Sequence, residues 1–206
     1  MSVSFSSKIF KRPIQTDTLL LGHFQAENAA LAALAVKTAL PNISEDAIER
    51  GLAKAKLPAR FEIVQNPKDF ENIPFLVMDG AHTVNSVRFT METLSQVFGK
   101  TDGRSQNITV ARTLLFACAA DKDAKDIAPL FKNQFESVFL TKPGNVKQSD
   151  LERLADAFDK AEISYDLNED FETQIKKAFE HANAHKSILL VTGSFYLIAE
   201  VKKFLR

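Results

Sequence analysis

From Phe61 onward the apolar positions follow two alternating patterns. The short stretches "FEIVQ", "FLVM", "ITVARTLLFAC", "SVFL", "ISYD" and "SILLVTG" predict strands, and the unbroken apolar runs among them suit a parallel sheet covered on both faces. Between them, apolar residues recur at helical spacing. Val87, Met91, Leu94 and Phe98 form one stripe, with Gly99 as its stop; Ile127, Leu130 and Phe131 mark a second helix. Leu151, Leu154, Ala155 and Phe158 mark a third, with Ser149 and Glu152 as an expected capping box. Phe171, Ile175, Ala178 and Phe179 mark the fourth, and Leu197, Val201, Phe204 and Leu205 the last. Strand and helix in strict alternation predict an α/β fold: a doubly wound, mostly parallel sheet of about six strands with helices on both faces.

The first 58 residues obey a different grammar. Val3 and Phe5 at one end and Leu19 to Leu21 at the other, with Pro13 between, predict a strand pair with a break. An Ala-rich helix is expected from Glu27 to Leu40, ended by Pro41, and a shorter one from Ser44, whose hydroxyl can cap and whose Glu45 and Asp46 suit a positive helix end. Residues 1–58 are therefore expected to be a piece separate from the domain at 59–206. The loops "GKTDGRSQN" and "KPGNVKQ" look solvated.

Charge narrows the partners. Twenty-six basic residues balance twenty-six acidic ones, which leaves no global field for nucleic acid or an anionic membrane. The single cysteine, Cys118, sits in "TLLFACAA" and reads as a small apolar residue. With no apolar run near the length of a membrane span and no signal-peptide pattern at the start, the expected location is cytoplasmic.

In doubly wound sheets ligands gather beyond the carboxyl ends of the strands. Three such ends carry chemistry: Asp79-Gly80-Ala81-His82 after "FLVM", Asp121-Lys122-Asp123 after "LLFACAA", and Thr192-Gly193-Ser194-Phe195-Tyr196 after "ILLV". Each precedes a helix, whose free N–H groups favour an anion. Asp79 is suited to ribose hydroxyls, His82 to a phosphate oxygen, Lys122 to a carboxylate or phosphate, and Ser194 offers a hydroxyl at a helix start. Taken singly, each has a plainer reading: Asp-Gly is a common turn, Asp-Lys-Asp a solvated cluster, Thr-Gly-Ser a turn and cap. Their coincidence at one edge points to a ligand. "GxxxxGK[ST]", "GxGxxG" and paired-cysteine metal patterns are all missing from the sequence, and no metal site is expected. His181 and His185 are spaced i, i+4, but no Glu follows the first, and a solvated helix face is expected there.

The segments "LLLGHFQAENAALAALAVKTAL", "LPARFEIVQ", "FLVMDGAHTVNSV", "ACAADKDAKDIAPLF" and "LLVTGSFYLIAEVKKFL" together resemble the folylpolyglutamate synthase/dihydrofolate synthase family of the Mur ligase superfamily, over nearly the whole chain from about residue 18. The resemblance implies an ATP-dependent ligase that joins glutamate to a folate carboxylate through an acyl phosphate. It also implies an N-terminal ATPase domain, which carries the P-loop and the Mg²⁺ ligands, and a C-terminal Rossmann-like domain. Residues 1–58 would be the tail of the first and 59–206 the whole of the second, with the rest of the ATPase domain as missing partner, and the protein a monomer. By the same resemblance Gln25, Asn28, Arg60 and Asp79 would meet the nucleotide, with Asn28 at the adenine and Arg60 at the phosphates. His82 and Lys122 would be the catalytic pair, and Lys122, Ser194 and Tyr196 would hold the amino acid. This chain departs from the family pattern at Ala59, where Gly is usual, at Thr83, where Asn is usual, and at His23-Phe24, which spreads the usual "HQ". A non-catalytic module that keeps the fold is the other reading.

Overall fold

The computed structural model describes residues 1–99 and 110–206. It divides into two compact units, Met1–Pro58 and Ala59–Arg206.

The first unit pairs β1 (Ser2–Phe5) antiparallel with β2 (Ile14–Asp17), followed by α1 (His23–Ala39) and α2 (Glu45–Lys54). The second strand falls earlier than expected. Leu19 to Leu21 lie beyond it, because in "IQTD" only Ile14 is apolar and buried. Ile14 packs with Phe10, Ala33 and Ile48 into a small core. The Ser44 hydroxyl caps α2 as anticipated, accepting from the Ala47 amide. Charge binds the unit as well: the Arg12 guanidinium forks onto both oxygens of Glu49 at 2.6 and 2.8 Å, and Lys37 meets Glu45 at 3.1 Å.

The second unit is built on a six-stranded sheet. Its strands are β3 (Glu62–Gln65), β4 (Phe75–Asp79), β5 (Arg112–Phe116), β6 (Ser137–Leu140), β7 (Asp166–Leu167) and β8 (Ile188–Thr192), in the spatial order β3-β4-β8-β5-β6-β7. Among the described strands of this sheet only β3 runs antiparallel to its neighbour. The expected strand at 108–118 shrinks to its central five described residues, residues 108 and 109 lying outside the described part, and "ISYD" contributes only its last residue and Leu167. The loop expected at 99–107 is described only at Gly99.

Alternation across the sheet assigns the two faces. Leu76, Met78, Leu115, Leu189 and Val191 join a core with Ile175, Ala178 and Phe179 of α6 (Phe171–His185) and Leu197, Ile198 and Val201 of α7 (Phe195–Phe204). On the opposite face Phe116 meets Phe131 at 5.1 Å and Phe158 at 5.8 Å. Phe131 closes a short 3₁₀ turn after α4 (Ala124–Ile127), and Phe158 belongs to α5 (Leu151–Lys160). Of the stripe read in the sequence as Val87, Met91, Leu94 and Phe98, the first three are buried on one side of α3 (Val84–Phe98) and Phe98 is half-buried, and Gly99 ends that helix at φ 80°. The cap of α5 is Asp150, whose carboxylate accepts from the Arg153 amide, one residue later than the expected Ser149.

One row of the sheet positions the functional loops. Asp79 on β4, Thr192 on β8 and Phe116 on β5 are partners in register, so three loops leave the sheet at the same level.

Candidate functional site

Gly80 and Gly193 let those loops crowd together. A Cβ on Gly80 would lie 2.4 Å from the Phe195 ring; on Gly193, held at φ 98°, it would lie 2.2 Å from the Ala117 carbonyl oxygen. At Gly193, where two backbones approach this closely, only glycine fits; at Gly80 a side chain would have to displace the ring.

Asp79 faces inward. It is 4% exposed, its Oδ1 accepts from the Ala81 amide and its Oδ2 from the Phe61 amide, both at 2.8 Å. Burial pushes its pKa above the usual carboxylate value, opposed by those two amides and by Arg60 and Thr90. The acid therefore shapes the backbone on either side of it, fixing the segment that carries Arg60 and the turn that carries His82. Ahead of it, Ala59 adopts a left-handed φ of 58°, held by its own amide donating to Glu62 at 2.9 Å and by its carbonyl accepting from Gly80 at 2.9 Å.

His82 is half-buried, with Nδ1 2.8 Å from the Gly80 carbonyl oxygen. A carbonyl only accepts, so Nδ1 carries the proton of the neutral ring and Nε2 keeps its lone pair. Thr83 caps α3: its hydroxyl accepts from the Ser86 amide, and the Ser86 hydroxyl accepts in return from the amides of Thr83 and His82. The edge of the His82 ring meets Phe195 at 6.1 Å, and the Arg60 guanidinium lies over the same ring at 4.8 Å.

From β5 comes Lys122, whose ammonium bonds Asp121 at 3.0 Å; that bond, ahead of all other influences, lowers the pKa of Asp121. Asp123 caps α4. From β8 comes Ser194, 7% exposed, whose hydroxyl caps α7 by accepting from the Tyr196 amide at 3.2 Å. A cavity of about 190 Å³ lies among these loops, lined by His82, Asp121, Lys122, Ser194, Phe195 and Tyr196 with Lys147. Four of the residues singled out in the sequence, His82, Lys122, Ser194 and Tyr196, thus share one cavity, while Arg60 reaches its rim through Phe195. Gln25 and Asn28 belong to the first unit. There Gln25 is buried and its side-chain oxygen accepts from the Asn28 amide group at 3.1 Å.

Two lining residues were given no role in the sequence. Phe195 was legible in "TGSFYL" as the first residue of a helix, but its contacts with Gly80, Arg60 and His82 are non-local. Lys147 has no local signature; the bond from the Ala120 amide to the Gln148 carbonyl, 3.0 Å, brings its loop to the cavity. The His181 and His185 rings stack at 4.0 Å, with His185 Nδ1 on the His181 carbonyl, and among the described residues no group of three or more His, Cys, Asp or Glu could hold a metal ion. Among the same residues no helix is long and apolar enough to cross a membrane.

Residues 59–195 match the family model described as Mur ligase, glutamate ligase domain. The chain is 28% identical over 193 residues to the dihydrofolate synthase/folylpolyglutamate synthase of Bacillus subtilis (strain 168), an alignment that covers 92% of this chain and 41% of the relative. It superimposes on the crystal structure of folylpolyglutamate synthase from Thermotoga maritima with a TM-score of 0.66 at 27% identity, covering 93% of this chain and 41% of that one. The Mycobacterium tuberculosis folylpolyglutamate synthase complexed with ADP shares the fold, with a TM-score of 0.76 at 21% identity over 94% of this chain and 42% of that one. The chain thus spans about two fifths of the length of these proteins.

Proposed function

This chain belongs to the Mur ligase family through its glutamate ligase domain, and from that premise we propose that residues 59–206 form the amino-acid half of an ATP-dependent ligase that adds glutamate to a folate. The observation that carries the reading is the convergence of Lys122, Ser194, Tyr196 and His82 on one cavity beyond the carboxyl ends of β4, β5 and β8.

The division of labour follows from the chemistry of each group. Lys122 and the positive end of α7 attract the carboxylates of the incoming amino acid. The Nε2 lone pair of His82 accepts the proton that the ammonium group must lose before its nitrogen can attack an acyl carbon. Arg60, exposed and seated on Phe195, offers its N–H fork to phosphate oxygens. Asp79 acts through the two amides it holds, and Gln25 through the Asn28 side chain it orients toward an adenine.

ATP, bound with Mg²⁺, supplies the phosphoryl group that converts the acceptor carboxylate into an acyl phosphate. The described residues offer no ligand set for that metal, and its ligands are assigned to the remainder of an ATPase domain whose tail is residues 1–58. The first unit supports this assignment by leaving Leu19, Leu31 and Leu40 more than half exposed, apolar surface suited to burial against more of the same domain.

Calorimetry and a phosphate-release assay on the purified chain test the reading together. The chain is expected to bind L-glutamate, to lose that binding in Lys122→Gln, and to release no phosphate from ATP with glutamate and a folate present. Failure of the wild type to bind glutamate overturns the cavity assignment. Turnover by the chain alone overturns the division between two domains.

A further inference from the structure

Within the cavity the charges are unevenly committed. Lys122 is bonded to Asp121 at 3.0 Å, whereas Lys147 makes no ion pair among the described residues. Its ammonium rests 6.0 Å from the ring centroid of Tyr196, a residue that is 39% exposed. Lys147 nevertheless belongs electrostatically to the site, since its charge is among those that hold the pKa of Asp121 down, after the leading effect of Lys122. Its loop is held in place: the Ala120 amide donates to the Gln148 carbonyl at 3.0 Å, and the Arg153 guanidinium donates to the Ala120 carbonyl at 3.0 Å. The backbone beneath Lys147 is therefore tied to the loop that carries Lys122, and only its flexible four-carbon stem needs to move.

We infer that Lys147 is a specificity-determining residue of this cavity: its ammonium leaves the Tyr196 face and takes the second carboxylate of a dicarboxylic amino acid, while Lys122 and the start of α7 take the first. The inference rests on the reading of the cavity as an amino-acid site. An aromatic face holds a cation more weakly than a carboxylate does, so an arriving carboxylate displaces the ring. An amide in place of that carboxylate offers no charge, and the ammonium stays on Tyr196. Lys147 thereby separates glutamate from glutamine, a distinction that one lysine already neutralised by Asp121 makes poorly. The two ammonium groups and Asp121 leave one net positive charge in the cavity. One carboxylate neutralises it, and the ammonium of the amino acid balances the second.

The experiment is a calorimetric titration of the purified chain, and of its Lys147→Gln and Lys147→Arg variants, with L-glutamate and with L-glutamine. Lys147 is exposed, and thermal unfolding of each variant checks that the fold is kept. Lys147→Gln is expected to weaken glutamate at least tenfold and glutamine less than twofold, with Lys147→Arg restoring glutamate to within about threefold of wild type. Equal weakening of both amino acids, or of neither, overturns the inference while leaving the cavity assignment standing. A wild-type chain that takes up neither amino acid overturns both.

Discussion

The Arg60 guanidinium lies 4.8 Å above the ring of Phe195, so a residue that follows Ala59 by one position is seated on the first residue of the last helix. Such a contact is worth about 0.5–1 kcal/mol at an exposed site. Ring currents from Phe195 are expected to shift the Arg60 side-chain signals upfield in NMR spectra. Phe195→Leu should abolish that shift with the fold intact, and Phe195→Tyr should keep it. Unshifted Arg60 signals in the wild type would show that the stacking does not persist in solution.

The two glycines at the site are expected to respond unequally to alanine. At Gly193 the new methyl meets a backbone carbonyl at 2.2 Å and the backbone sits at φ 98°, so neither side can yield cheaply. At Gly80 the obstacle is the Phe195 side chain, which can swing away. Urea unfolding should show Gly193→Ala destabilised by more than about 3 kcal/mol and Gly80→Ala by about 1–2 kcal/mol. In Gly80→Ala the displaced ring should also release Arg60. Equal effects at the two positions would contradict this.

Ala59 holds a left-handed conformation in which an alanine is strained by about 1–2 kcal/mol. Glycine there relieves the strain but removes a buried methyl and frees the unfolded chain, effects of about 0.5–1 kcal/mol each in the opposite direction. Ala59→Gly is therefore expected to leave the stability of the second unit within about 1 kcal/mol of wild type, and Ala59→Val, branched at Cβ, to lower it by at least about 2 kcal/mol. Denaturant titration of the two variants decides. A tolerated valine would mean that the left-handed turn is not kept in solution.

Acid should unfold the first unit in a defined window. Glu45 is held down to about 2, first by the Lys11 amide and then by its own amide and Lys37; Glu49 is held at about 2, first by Arg12 and then by the Gln15 amide. A carboxyl depressed on folding adds stability that is complete above its unfolded value, near 4.5, and is lost as pH falls through the folded one. Asp79 runs the other way. Burial raises its pKa, so protonation relieves a cost in the second unit as the pH drops and offsets part of what that unit's depressed carboxyls, Glu62, Asp121, Glu162, Asp166 and Asp170, lose. Amide NMR signals from residues 1–58 are expected to collapse between pH 4.5 and 2 while those of the sheet persist. Loss of both sets together above pH 4.5 would refute the assignment.

Local pattern carried the sheet and helices well where burial is continuous, as in "FLVM", "SVFL" and "SILLVTG", and poorly where pairing rests on partners far along the chain. β2 is such a case, with one buried apolar residue and a hydrogen bond from the Gln15 amide to Glu49. Of the residues that line the cavity, His82, Lys122, Ser194 and Tyr196 could be picked out because they follow strands. Asp79 looked like a ligand-facing acid, and its inward turn depends on the Phe61 amide, delivered by the antiparallel β3. The seventeen phenylalanines pack in part into two groups, Phe116 with Phe131 and Phe158 and Phe70 with Phe179 and Phe204.

The row formed by Asp79, Thr192 and Phe116 ties the chemistry to the weave of the strands. A slip of a single residue in any one of them would carry its loop along by about 3.3 Å and turn its side chains to the opposite face. The loops of this protein can therefore be redesigned one side chain at a time, but a loop moved to another edge would leave its bearings behind.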